Sequence, residues 1–98
     1  MEIIKNKNGN ALSIALVGRL DTTTAPQLEA ATKEELNDVT ELTLDFAKLE
    51  YVSSAGLRVL LACQKTMNKQ GSMVIRNVSE DIMEVFEITG FSDILTVE

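Results

Sequence analysis

Three times along this chain a short strand-like apolar run gives way to a capped helical segment. Ala11–Gly18 puts Leu12, Ile14 and Leu16 on one face, the period of two that a strand imposes. Thr24-Ala25-Pro26-Gln27 then opens a helix running to about Asn37. Thr24 suits the N-cap, Pro26 falls in the first turn where its missing N–H costs nothing, and Gln27 completes a capping box. Its apolar stripe, Leu28, Ala31, Glu35 and Leu36, is modest. Glu41–Phe46 alternates again, with Leu42, Leu44 and Phe46 inward, and Ser54–Gln70 follows as the most apolar helix, stopped by Gly71 as its C′ residue. Ser72–Asn77 is another strand, centred on Met73, Val74 and Ile75, and Ser79 caps a helix whose first turn carries Glu80 and Asp81, as the helix dipole prefers. Ile82, Val85, Phe86 and Thr89 lie at helical spacing there, and Gly90 ends it.

Two further segments flank these units. Glu2–Lys7 is strand-like and joins the first alternating run through Asn8-Gly9-Asn10, a hairpin signal because both turn residues tolerate positive φ. Asp93–Glu98 closes the chain as a short strand. The order is therefore β-β-α-β-α-β-α-β. Strands separated by helices pair in parallel through crossovers, so the expected fold is one α/β domain over residues 1–98: a mixed, mostly parallel sheet with an N-terminal antiparallel hairpin and three helices.

What the chain lacks narrows its chemistry. There is no histidine among the 98 residues, which removes the commonest general base and the commonest metal ligand. A Ser-His-Asp triad, a Cys-His pair and a His-containing zinc site cannot be built, so a non-enzymatic protein without cofactor or metal is expected. A net charge of −6, with nine scattered basic residues, argues against nucleic acid, which is held by clustered cations. Cys63 is the only cysteine and falls at helical spacing with Val59, Leu60 and Met67, a core position in a reducing compartment. Apolar runs such as Val59–Cys63 are far shorter than the roughly 20 residues of a membrane span. The N-terminus has no apolar leader, and a cytoplasmic protein without membrane insertion is expected. Glu29, Glu34, Glu35, Asp38 and Glu41, interleaved with Lys33, read as a solvated face.

In open α/β sheets the loops beyond the carboxyl ends of parallel strands carry function. Two stand out here. Tyr51-Val52-Ser53-Ser54-Ala55-Gly56-Leu57 leads into the most apolar helix, where Ser53 or Ser54 can cap. Gly56 is costly inside a helix unless something approaches its backbone closely. A phosphate on the serine would meet the positive end of the helix dipole, so the loop reads either as plain capping or as an anion or phosphoserine site. The other loop, Gly18-Arg19-Leu20-Asp21-Thr22-Thr23-Thr24, offers Asp21 as a partner contact, a loop anchor or an ordinary surface acid.

Together the segments GRLDTTTAPQLE, DFAKLEYVSSAGLRVLL and ITGFSDIL, in this order and spread over nearly the whole chain, resemble the STAS family, named for sulphate transporters and anti-sigma factor antagonists. The resemblance implies a stand-alone bacterial anti-anti-sigma factor. Such a protein binds, when unphosphorylated, an anti-sigma factor that is also a serine kinase with an ATP-binding fold. Phosphorylation releases it, and a serine phosphatase resets the switch. By the same resemblance Ser54 matches the phosphorylated serine of an Asp-Ser-Ser/Thr-Gly-Leu motif, Gly56 and Leu57 match its Gly-Leu, and Asp21 matches the acid of a Gly-x-Leu/Val-Asp loop beside that serine. The chain departs from the motif at Ser53, where aspartate is frequent, and at Ala55, where a second hydroxyl is usual, leaving Ser53 as an alternative site. The implied partner-binding surface comprises Asp21, Thr22, Thr23, Ser53, Ser54, Ala55, Gly56, Leu57 and Arg58, on a domain that is monomeric when free. Two other roles remain open: a soluble accessory subunit of a membrane transport or lipid-trafficking complex, and a nucleotide or small-molecule binding module.

Overall fold

The hairpin forms first along the chain. In the computed structural model, which describes residues 1–98, β1 (Glu2–Asn8) runs antiparallel to β2 (Ala11–Leu20), with Asn8 opposite Ala11. Of the Asn8-Gly9 pair that signalled the turn, Gly9 takes positive φ, at +62°, while Asn8 stays in the strand opposite Ala11, so that Gly9 and Asn10 are the two central residues. Positive φ at the first central residue alone belongs to a II′ turn, which suits the twist of the paired strands.

Two crossovers complete the sheet. α1 (Ala25–Glu35) leads to β3 (Glu41–Val52), α2 (Ser54–Gln70) leads to β4 (Ser72–Arg76), and both pairings, β2 with β3 and β3 with β4, are parallel. The strand order is β1-β2-β3-β4. Because the sheet grows in one direction only, right-handed crossovers place the helices on one face. Burial shows it: Leu12, Ile14, Leu16, Leu42, Leu44, Phe46, Met73 and Ile75 are buried, whereas Ser13, Thr43, Asp45, Ser72 and Arg76 on the opposite face are exposed or half-buried.

The apolar stripes of the helices close this core. Leu28 and Leu36 come from the α1 region, Leu57, Leu60, Cys63 and Met67 from α2, and Ile82 and Phe86 from α3 (Glu80–Thr89). Phe86 meets Phe46 with ring centroids 6.5 Å apart, tilted by 50°, a favourable aromatic geometry. Ser79 caps α3 by accepting from the Ile82 N–H at 3.2 Å, and Gly90 ends it in the left-handed region, as expected.

Several local expectations change. β3 continues six residues beyond Phe46 because it bulges twice against β2, at Ala15/Val17 and Gly18/Arg19. Its buried positions then step by three, Phe46 to Leu49 to Val52, instead of two. Gly71 does end α2, but with φ of 174°, an extended value open to any residue. Glycine is required there for space: a Cβ would lie 2.8 Å from the Cα of Thr40 and collide with its carbonyl. Gln70 secures the same corner, its amide donating to the carbonyls of Leu36 and Val39. The closing strand shrinks to one parallel bridge between Val97 and Ile75. A short 3₁₀ turn at Phe91–Asp93 engages the amides of Asp93 and Ile94, and only the last three residues reach β4, through Ile75 N–H to Thr96 O and Glu98 N–H to Ile75 O, both 2.9 Å.

Candidate functional site

β2 and β3 end side by side, Leu20 opposite Val52, and the two suspect loops leave from those neighbouring ends. The Ser53 N–H donates to the Leu20 carbonyl at 2.8 Å, which ties the second loop to the base of the first. Both loops then border one groove of about 280 Å³ between α1 and α2, lined among others by Thr22, Pro26, Ala55 and Arg58.

The first loop is organised by its acid. Asp21 Oδ1 accepts from the Thr23 and Thr24 N–H groups at 3.0 and 3.1 Å, while the Asp21 carbonyl accepts from Ala25 N–H at 2.7 Å. In hydrogen-bonding terms Asp21 caps a turn that runs directly into α1. Thr24 is the N-cap residue of α1, as expected; what is corrected is the capping bond itself. Thr24 has helical backbone angles, and its side chain makes no capping bond, so the box with Gln27 does not form. Its hydroxyl instead donates to the Arg19 carbonyl at 2.7 Å and accepts from Asp21 N–H at 2.8 Å. The amide of Thr24, aided by Thr23, the Thr24 hydroxyl and the Arg19 charge, holds the Asp21 carboxyl below the ordinary aspartate range despite some desolvation. It is ionised at neutral pH.

In the second loop the two serines divide the work. Ser53, with extended backbone angles, is the N-cap of α2 and accepts from the Gly56 N–H at 3.2 Å. Ser54 is the first helical residue, exposed, and its hydroxyl makes no hydrogen bond within the chain. Ala55 is half-buried and Arg58 exposed; Thr22, across the groove from them, is exposed, and so is its neighbour Thr23, which does not line the groove. Gly56 and Leu57 are buried beneath the loop, so they support its shape and present no surface.

One element of the site was not foreseen. Arg19 lies over the Tyr51 ring, its guanidinium carbon 4.4 Å from the ring centre, and Arg19 Nε stands 3.8 Å from Asp21 Oδ2. Both residues are exposed, and they sit opposite one another only because β3 has bulged twice before Tyr51. An unbulged register would have paired Arg19 elsewhere, so the spacing in the sequence carries no sign of the contact.

Residues 3–96 match the family model described as "Mlab, STAS domain". BtrV of Bordetella bronchiseptica is 35% identical, over 99% of this chain and 85% of its own length. The anti-sigma-B factor antagonist of Listeria monocytogenes is 30% identical, over 97% of this chain and 85% of its own. Among solved structures, the anti-sigma factor antagonist SpoIIAA of Bacillus superposes in its unphosphorylated and phosphorylated forms with TM-scores of 0.76 and 0.77. Those superpositions cover 99% of this chain and 87% and 91% of the SpoIIAA chains, at 21% and 20% identity, and so speak for the fold. The sequence match leaves neither loop outside it, and the chain belongs to the STAS domain family.

Proposed function

We propose that this protein is an anti-sigma factor antagonist: it binds an anti-sigma factor that is also a serine kinase, and phosphorylation of Ser54 releases it. The observation that carries the reading is the division of labour at the start of α2. Ser53 makes the capping bond, which leaves the Ser54 hydroxyl exposed and free at the first helical position, beside the loop ordered by Asp21. Serine caps about as well as aspartate, so Ser53 meets the structural demand that the frequent aspartate would meet. The relatives' names support the same reading, since the Listeria protein is an antagonist of an anti-sigma factor.

The transfer is simple in outline. The γ-phosphoryl group of ATP, held by the partner kinase, passes to Ser54 Oγ; ADP leaves, and the hydroxyl proton goes to a base of the kinase. The product adds roughly −1.5 to −2 charge. The positive end of the α2 dipole tolerates that charge, so the domain stays folded. The ionised Asp21 loop, tied to the same strand ends, makes the surface strongly anionic. Like-charge repulsion and desolvation then oppose the partner.

A pull-down from native lysate tests this, with wild-type and Ser54→Asp proteins as parallel baits. A kinase-type anti-sigma factor held by wild type and lost from the variant is the expected result. A second reading, the accessory subunit of a membrane transport complex, draws on the departures at Ser53 and Ala55. It expects transport subunits on both baits, and that outcome would displace the switch.

A further inference from the structure

Resting on the reading of Ser54 as the phosphorylated residue, we propose that Arg58 is the internal counter-charge of that phosphate, so that modification withdraws a cation from the partner-facing surface as it adds an anion. Ser54 and Arg58 stand four residues apart on α2, and both are exposed. Residues at that spacing are neighbours on the helix surface, and the order acid before base is the favourable one. Helical side chains lean toward the N-terminus, which carries a long Arg58 side chain back over the turn that bears Ser54.

Arg58 is also uncommitted. The chain's four ion pairs are Lys5–Glu35, Lys7–Asp38, Arg19–Asp21 and Arg76–Glu98. Arg19, the other cation of the site, is occupied by Asp21 and the Tyr51 ring. The acid that shares the groove with Arg58, Glu29, forms no ion pair with it. In the unmodified protein the guanidinium is thus available to a carboxylate of the partner. A phosphate on Ser54 competes for it with two negative charges and a geometry that suits the planar guanidinium.

The test reads the phosphate directly. Phosphoserine is installed at position 54 by codon suppression, so no kinase is needed, and the ³¹P chemical shift is titrated against pH in wild type, Arg58→Gln and Arg58→Lys. Pairing with the guanidinium favours the dianion. The second phosphate pKa, about 6 for an isolated phosphoserine, is expected lower in wild type than in Arg58→Gln by at least about half a unit. That is roughly a threefold change in the dianion-to-monoanion ratio. Arg58→Lys is expected between the two, and the gap should narrow in about 1 M salt. Equal values in wild type and both variants would overturn the proposal. Mass spectrometry of the protein from its own cells tests Ser54 modification separately: no phosphate there would sink the underlying reading and leave the titration result standing.

Discussion

Gly56 of α2 packs directly on Leu20 at the end of β2: a Cβ on Gly56 would stand 2.7 Å from Leu20 Cγ and 3.0 Å from its carbonyl oxygen. In an isolated helix, glycine to alanine is favourable by about 0.8–1.0 kcal/mol. Here the added methyl meets a branch carbon and a backbone carbonyl of a fully buried residue, and overpacking of that kind costs roughly 1–3 kcal/mol. The overpacking cost less the propensity gain leaves an expected loss of up to about 2 kcal/mol for Gly56→Ala in urea unfolding. A variant stabilised by about 0.8–1.0 kcal/mol, the propensity gain alone, would mean that α2 gives way freely at Leu20.

The adjacent serines should separate cleanly in the same experiment. Ser53→Ala removes the bond to the Gly56 N–H and is expected to cost about 1 kcal/mol. Ser54→Ala removes an exposed hydroxyl without a partner and should stay within about 0.5 kcal/mol of wild type. Equal losses at both positions would contradict the assignment of the cap to Ser53.

Acid should weaken the first loop in a definite direction. Amides of Thr24 and Thr23 hold the Asp21 carboxyl below its ordinary value of 3.8, so the folded state binds its proton less readily than the unfolded chain. That contribution is complete above the unfolded value and is lost as pH falls through the folded one. Asp21→Asn keeps the acceptor oxygen and removes the titration. The stability difference between wild type and variant should therefore be constant from about pH 5 to neutrality and shift from about pH 4 downward. Asp45, held low by Asn77 and the Ala47 amide, moves in the same sense and is present in both proteins, so the comparison isolates Asp21. A difference that is flat down to about pH 2 would show that the carboxylate is not engaged.

Cys63 should be inert until the domain opens. It is buried in the core, and burial pushes its thiol above the usual range against a smaller opposing bond from Thr32. Thiolate is the reacting form. Labelling by a disulfide reagent at pH 8 is expected to be slow in native buffer and complete within seconds in concentrated urea. Fast native labelling would place Cys63 at the surface.

The hairpin, the three helices and the inward faces of β2 and the first half of β3 were legible because each follows one unbroken period. β3 beyond Phe46 was not. Its buried side chains change step at Leu49 and again at Val52, and no periodicity survives two bulges in six residues. The capping box at Thr24 was misread for a different reason: a threonine followed by Pro and Gln carries the local signature, but the Thr24 hydroxyl is taken by the Arg19 carbonyl and the Asp21 amide. The serine pair was legible as a site and ambiguous in its roles, since either hydroxyl could cap. The bond from the Gly56 N–H to the Ser53 hydroxyl, together with the extended backbone angles of Ser53, decides between them.

Between paired positions, β2 takes nine steps from Ala11 to Leu20 while β3 takes eleven from Glu41 to Val52. That surplus acts as a spacer that brings Val52 level with Leu20, so that the next residue, Ser53, reaches the Leu20 carbonyl. Ala47, Lys48, Glu50 and Tyr51 are exposed, and their identities can vary without touching the core. Their number cannot. Losing any one of them would turn Val52 out of the interior and present Ser54 one register too early. In this stretch the chain tolerates spelling changes far better than a missing letter.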